Sequence, residues 1–439
     1  MKLVKSLLLG SAAGIAAVAG AQAADLPSRK AAPVEYVRVC SAYGAGFFYI
    51  PGTDTCLRVG GRMRAEYTFG ERWSQGQDSY GTRARGRLNI DARTATAYGT
   101  LRTFIRYDVT TNTGSYRYGG FNAGANPVAF SRGVAAESGV NLDKAFVQFG
   151  PVTAGKAQSF FDFYANDLGF SVVRTSDRSP TLLAYTATFG SGFSATLSLE
   201  DPATVGQLSA GGRQYEGVVM PDIVASLRVD QGWGSAQLSG AISNRSTLAA
   251  TFVPPVGAPI VVRDDDYGFA VQAGVKINLP MLSAGDHLWL QAAYADGAIG
   301  YLGYGGTVGY GRLGLLGLGD FTVDPISGSL KATTGFSIVA GLRHFWTPTI
   351  RSDIYGSYSE LELGRVAGPL GTTLKGLDPK ELIVAGNLVW SPVSGLDIGV
   401  EVLYSRVELS RRVTDAKNPA RTIKSDDAFT GRLRIQRDF

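Results

Sequence analysis

From Leu57 to Val109 polar and apolar residues alternate, and the polar half of the alternation is mostly arginine. One set reads Arg58, Arg62, Arg64 and Glu66, then Arg83, Arg85, Arg87, Asn89, Asp91 and Arg93, then Arg102, Arg106 and Asp108. The other reads Val59, Met63, Ala65, Tyr67 and Phe69, then Ala84, Leu88, Ile90 and Ala92, then Leu101, Ile105, Tyr107 and Val109. Successive side chains of a strand point to opposite faces, so the pattern predicts a sheet with one apolar and one cationic face. In a soluble sandwich the cationic face would meet bulk water, where adjacent arginines gain nothing and repel one another. A water-filled lumen with acids opposite gives that face a use, and the apolar face then meets lipid.

The N-terminus reads as an export signal. Lys2 and Lys5 precede the apolar run Leu7 to Val18, followed by Ala21-Gln22-Ala23, which has the small-x-small form of a signal-peptidase site. The run is too short for a spanning helix, and no later stretch is long enough to be one. Residues 1–23 are therefore expected to be a cleaved leader, which lowers the formal balance from 42 bases against 37 acids to 40 against 37. So small an excess, laid out in strips, does not argue for nucleic acid.

Residues 24–56 are expected to form an N-terminal periplasmic segment ahead of a barrel spanning 57–439. Cys40 and Cys56 lie close together in it. After export to an oxidising compartment they are expected to close one small disulfide loop, with a chain-entropy contribution of about 3 kcal/mol; two free thiols are the alternative. A metal site is not expected, because His287 and His344, the only histidines, are far away in sequence. Mean hydropathy is near zero, as it is in barrels, where lipid-facing and lumen-facing residues cancel along each strand.

Short and long connections alternate along the chain. The short ones are Tyr98-Gly99, Gly150-Pro151, Gly190-Ser191-Gly192, Gln231 to Gly234, Leu279 to Gly285, His344 to Arg351 and Ser391 to Gly395, each with Gly, Pro or Ser for a tight reversal. The long ones fall near 70–82, 112–141, 158–180, 201–221, 243–265, 297–334, 361–380 and 406–426. Together they join sixteen strands, an even number that puts both termini on one side with the short turns periplasmic. An open sheet in lipid would leave two edges of unpaired backbone groups, so the expected fold is an all-β, sixteen-stranded antiparallel transmembrane barrel. Its final strand alternates Phe429, Gly431, Leu433, Ile435, Arg437 and Phe439 with polar residues, and an aromatic last residue resembles the signal by which barrel-assembly machinery recognises its substrates.

The connection 158–180 is aromatic where an exposed loop would be polar: Ser159-Phe160-Phe161-Asp162-Phe163-Tyr164. It is expected to fold inward and narrow the lumen, with Asp162, Asp167 and Asp177 facing the arginine wall; an outward loop with a local aromatic cluster is the alternative. Arg174 and Arg178 would weaken such a field. Gly303 to Gly309 lacks the helix of a nucleotide-binding loop and reads as a flexible surface loop; Asp264-Asp265-Asp266 reads as a solvated loop tip. Neither histidine has a nucleophile or carboxylate fixed by spacing, so catalysis has little support.

Residues 34–61, with Tyr36-Val37-Arg38-Val39-Cys40, Tyr43 to Cys56 and Arg58-Val59-Gly60-Gly61, resemble the opening of the alphaproteobacterial porins of the Rhizobium and Brucella type. Asp143 to Gly150, then Gly155 and Ser159 to Phe163, resembles that family's approach to its constriction loop. The resemblance implies a trimeric, sixteen-stranded channel for passive diffusion of small hydrophilic solutes, with no cofactor. It maps a constriction onto Asp162 and Asp167 facing Arg62, Arg64, Arg85, Arg87, Arg102 and Arg106. Outer-membrane lipid, lipopolysaccharide and the assembly machinery are the implied partners. The alternatives are a sugar- or anion-selective channel with Phe160, Phe161 and Tyr164 as an aromatic track, or, from another class, a barrel enzyme or surface adhesin.

Overall fold

The computed structural model describes residues 38–71, 78–114, 137–202, 213–215, 219–251, 260–309, 311–324, 329–367 and 373–439. The expected leader and most of the connection 112–141 lie outside the described residues. The chain divides after Cys56 into two units. In the first, Cys40 and Cys56 are joined by a disulfide with Cα atoms 5.9 Å apart, and both pack with Phe47 in a small core.

The second unit is the barrel. Its strands are β1 (Cys56–Gly70), β2 (Tyr80–Thr96), β3 (Gly99–Asn112), β4 (Glu137–Phe149), β5 (Val152–Lys156), β6 (Thr181–Gly190), β7 (Phe193–Glu200) and β8 (Asp222–Gln231). Then follow β9 (Gly234–Thr251), β10 (Ile260–Asn278), β11 (His287–Asp296), β12 (Thr334–Thr347), β13 (Ile350–Glu362), β14 (Lys380–Val393), β15 (Leu396–Asp415) and β16 (Asn418–Asp438). Each pairs with its sequence neighbours, and β16 returns to β1 in a register running from Arg62↔Asp438 to Gly70↔Thr430, so the sheet closes. Closure leaves neither first nor last strand with a free edge in lipid.

The alternation sorts as expected. Val59, Met63, Phe69, Leu88, Leu101, Tyr107 and Val109 are exposed on the outer face, and the later strands add Leu227, Leu238, Ile354, Val400 and Val402. Tyr98, Phe149, Phe189, Phe193, Trp233, Trp346 and Trp390 sit near the short turns, while Phe69 with Tyr80, Phe269 with Tyr294, and Tyr404 with Phe429 pair at the other end. Two aromatic girdles bounding an apolar band are the mark of interfacial anchoring on a transmembrane barrel. Two expected loops are mostly strand instead. Around 243–265 and 406–426 the β9–β10 and β15–β16 ladders continue upward, the second to a reversal at Ala416-Lys417. The polar composition of 406–426 suits a hairpin rising into water, where strand pairing needs no apolar face.

The connection 157–180 leaves the wall early because β5 is only five residues long. Gly155 makes the departure feasible: its φ is +119°, and a Cβ there would lie 2.4 Å from the Ala145 carbonyl oxygen. The segment then runs inside the barrel, and wall glycines receive its apolar side chains. A Cβ on Gly274 would meet the Phe163 ring at 2.4 Å, one on Gly341 the Leu168 side chain at 2.5 Å, and one on Gly399 the Phe170 ring at 2.6 Å. Glycine within a strand marks such close approach.

Two outcomes follow. Leu238→Arg, on the outer face of β9, should destabilise the refolded protein by about 2–4 kcal/mol in urea titrations in lipid vesicles. Gly399→Leu overfills the Phe170 socket at about 1–3 kcal/mol and should lower single-channel conductance by pushing the loop into the lumen.

Candidate functional site

Polar anchors hold the inward loop along its length. At its start, the Ser159 hydroxyl and the Phe160 N–H both donate to Glu200, at 2.7 and 3.1 Å. Further along, Gln272 donates to the Phe161 carbonyl and Gln291 accepts the Tyr164 N–H. At the far side of the loop the Phe170 N–H donates to Glu401 at 2.6 Å, the Ser171 N–H to the Tyr355 hydroxyl, and Arg432 and Arg434 both donate to the Phe170 carbonyl. Each anchor comes from a lumen-facing wall position, so these buried backbone groups find a partner that water would otherwise supply.

Arg174 and Arg178 are nearly inaccessible and do not weaken any field in the channel. Arg174 forms a bidentate pair with Glu381 at 2.7 and 3.2 Å and lies over the Tyr304 ring; Arg178 lies over Tyr301 and 4.0 Å from Asp222. Both clamp the loop to the wall and to the connection 297–333. Within that connection, Gly303 to Gly309 is therefore not part of a flexible surface loop. Ile299–Leu302 forms a buried 3-10 turn, and Tyr301, Leu302, Tyr304, Leu313, Leu316 and Leu318 join a core with Phe161, Leu361, Val407 and Leu409. Asp320 pairs with the buried Arg245 at 2.8 Å, and Arg312 pairs with Asp415. Its Gly, Tyr and Leu content, which reads as low complexity, supplies the small and apolar residues that let a second segment pack inside the barrel.

Between the inward loop and the arginine wall lies a cavity of about 930 Å³. Of the expected constriction bases, Arg62, Arg64, Arg85, Arg87 and Arg106 line it, and Arg102 does not. Arg102 pairs in register with Arg93 close to the Ala97-Tyr98 turn, donates to Asp91 at 2.9 and 3.0 Å, and so lies below the loop. Arg83, Lys144, Arg228, Arg343, Arg351 and Arg434 also line the cavity, giving eleven bases against seven acids. Arg228, Arg343 and Arg351 stand alone in their strands, with no local arginine run to single them out.

The wall bases meet acids of the wall itself. Arg87 holds Asp108 through two bonds of 2.6 and 2.7 Å, Arg106 lies 3.3 Å from Asp143, Arg62 2.5 Å from Asp438, and Arg434 2.6 Å from Glu66. Across the cavity Arg343 holds Asp353 and Arg351 holds Asp397. The loop acids divide. Asp162 lines the cavity but turns back into the loop, where one carboxylate oxygen accepts from Gln158 at 2.5 Å and from the Arg178 N–H at 2.6 Å. Burial pushes its carboxyl up to about 7, so near neutral pH it carries only part of a charge. Asp167 and Asp177 are exposed to the lumen, and desolvation raises the Asp167 carboxyl above its ordinary value. Phe161 and Tyr164 have no exposed surface, so they offer no aromatic track to a solute.

Comparison with known proteins agrees with this architecture. Residues 25–432 match the family model described as the porin subfamily. Porin Omp2b of Brucella neotomae and that of Brucella melitensis are each 33% identical over 310 residues, covering 69% of this chain and 76% of the relative. Among solved structures, the outer membrane channel DcaP of Acinetobacter baumannii superposes with a TM-score of 0.64 at 15% identity, over 89% of this chain and 99% of that one. The anion-selective porin from Comamonas acidovorans gives 0.50 at 10% identity, over 88% of this chain and all of that one. Closed barrel, inward loop and charged lumen thus accompany a family match over nearly the whole sequence, and the chain belongs to the porin subfamily, as a channel-forming protein of the bacterial outer membrane.

Proposed function

We propose that the channel is a general diffusion porin that passes small hydrophilic solutes and ions without a chemical step, filtering them by size and charge. The observation that carries this reading is the cavity of about 930 Å³ beside the inward loop, lined mostly by charged and polar side chains. Arg62, Arg64, Arg85, Arg87 and Arg106 act on one side, Asp167 on the other, and Asp162 as a brace that shapes the loop. With more bases than acids on its lining, the lumen favours anions. Membership in the porin subfamily supports a homotrimer, with part of the apolar outer face against neighbouring copies and the remainder against lipid. The Phe439 ring, 70% exposed while its backbone pairs with Gly61, is available as the terminal signal for assembly.

In planar bilayers under a salt gradient the native reversal potential should report anion preference, and Arg62→Ala with Arg85→Ala should shift it towards cations. An unchanged potential would remove these residues from the conducting path. Light scattering of the detergent-extracted protein should give three times the chain mass.

A further inference from the structure

The charges of the wall are not evenly matched. Arg62, Arg87, Arg106, Arg434, Arg343 and Arg351 each have a carboxylate within 3.3 Å. Arg64 differs: its Nε and Nη2 both donate to one neutral oxygen, the Gln436 Oε1, at 2.9 and 2.7 Å. The Gln436 amide is held in that orientation because its own NH₂ donates to Asp438 at 2.9 Å. Around Arg64 stand the charges of Arg434, Arg62 and Arg85. The near acid, Glu66, is already engaged by Arg434 at 2.6 Å and by Arg83 and Arg432 at 3.8 Å, and its side chain is inaccessible. Arg85 beside it bonds to the neutral Thr110 at 3.1 Å and is 3.9 Å from Asp108, the carboxylate that Arg87 grips bidentately.

A guanidinium held by a neutral partner, among other guanidinium groups and on rigid strands facing water, is an excess of positive charge fixed in place. Relaxation cannot remove it, because both strands are tied into the closed sheet. A small counter-ion with several oxygens matches such a site better than chloride, since the guanidinium nitrogens not bonded to Gln436 and Thr110 can each take a separate oxygen and two charges offset the local repulsion.

We propose that Arg64, with Arg85, forms a saturable binding station for doubly charged oxyanions of the phosphate and sulfate type, at which such ions pause during passage. The proposal rests on the porin reading and goes beyond it, because diffusion with a charge preference requires no site that saturates.

The test is block of chloride current by inorganic phosphate at constant ionic strength, in planar bilayers holding the full-length mature protein. Native channels should show saturating block. Arg64→Gln should raise the half-blocking concentration about tenfold or more, equivalent to about 1.4 kcal/mol. Arg64→Lys, which keeps the charge and loses the fork, should fall between the two, and Arg102→Gln, outside the cavity, should match the native protein. Heat-modifiable gel mobility confirms that each variant is folded. Chloride currents that phosphate reduces without saturation, or equally in native and Arg64→Gln channels, would overturn the station and leave the porin intact. Absence of any current from the native protein would overturn the porin reading itself.

Discussion

Everything in this molecule depends on one seam. Lipid offers no partner for a backbone N–H or C=O, so sixteen strands are stable there only if β16 hydrogen-bonds to β1. The seam is reinforced on its wet side, where Arg62 meets Asp438, Arg64 meets Gln436 and Glu66 meets Arg434 between the same two strands. Closure converts one face of every strand into the wall of an aqueous space, and only then do the lumen charges become affordable. The same side chains turned outward would sit in acyl chain.

The inward loop illustrates how a polar interior can be filled without breaking the rules of burial. Its apolar rings rest on wall glycines, and its backbone groups are taken up by Gln272, Gln291, Glu401 and the Tyr355 hydroxyl. Arg174 and Glu381 form a buried pair there. Such a pair is weak support for stability in itself, and its value here is register, since it fixes where along the wall the loop returns. The second inward segment, built from the described residues of 299–323, leans on the same residues: the Tyr304 hydroxyl donates to Glu381, and the Tyr301 hydroxyl to Asp222. The two segments therefore share a foundation, and the passage is left beside the arginine wall.

That arrangement changes how the charges act. A reading of opposed strips, bases on the wall and acids on the loop, overstates the field, because most wall arginines are neutralised by acids on neighbouring strands. Arg87 with Asp108 is a directly opposed cross-strand pair that the alternation already contained, whereas Asp143 reaches Arg106 from a register shift where Arg106 pairs with Lys144. Seeing them as pairs required knowing which strand lies beside which, and in what register. Asp162 was legible as a loop acid, but its turn towards Gln158 and the Arg178 backbone depends on how the loop folds back on itself.

Local periodicity was sufficient for the strands, the two faces, the sixteen-fold count and the inward course of an aromatic loop, because each follows from side-chain direction along a single extended segment or from the need to bury rings. The long connections at 243–265 and 406–426 defeated the same reasoning: in the first, Pro254, Pro255, Gly257 and Pro259 read as loop chemistry, and in the second a polar hairpin has no apolar face to announce it. Long-range decisions belonged to the closed barrel alone. It brought Arg343 and Arg351 to the cavity, moved Arg102 below it, drew Ile299 to Tyr304 and Leu313 to Phe321 inside and left Arg64 facing a neutral glutamine. Those outcomes depend on contacts between different strands and segments, up to the 372 positions that separate Arg64 from Gln436, which no pattern within one strand can encode.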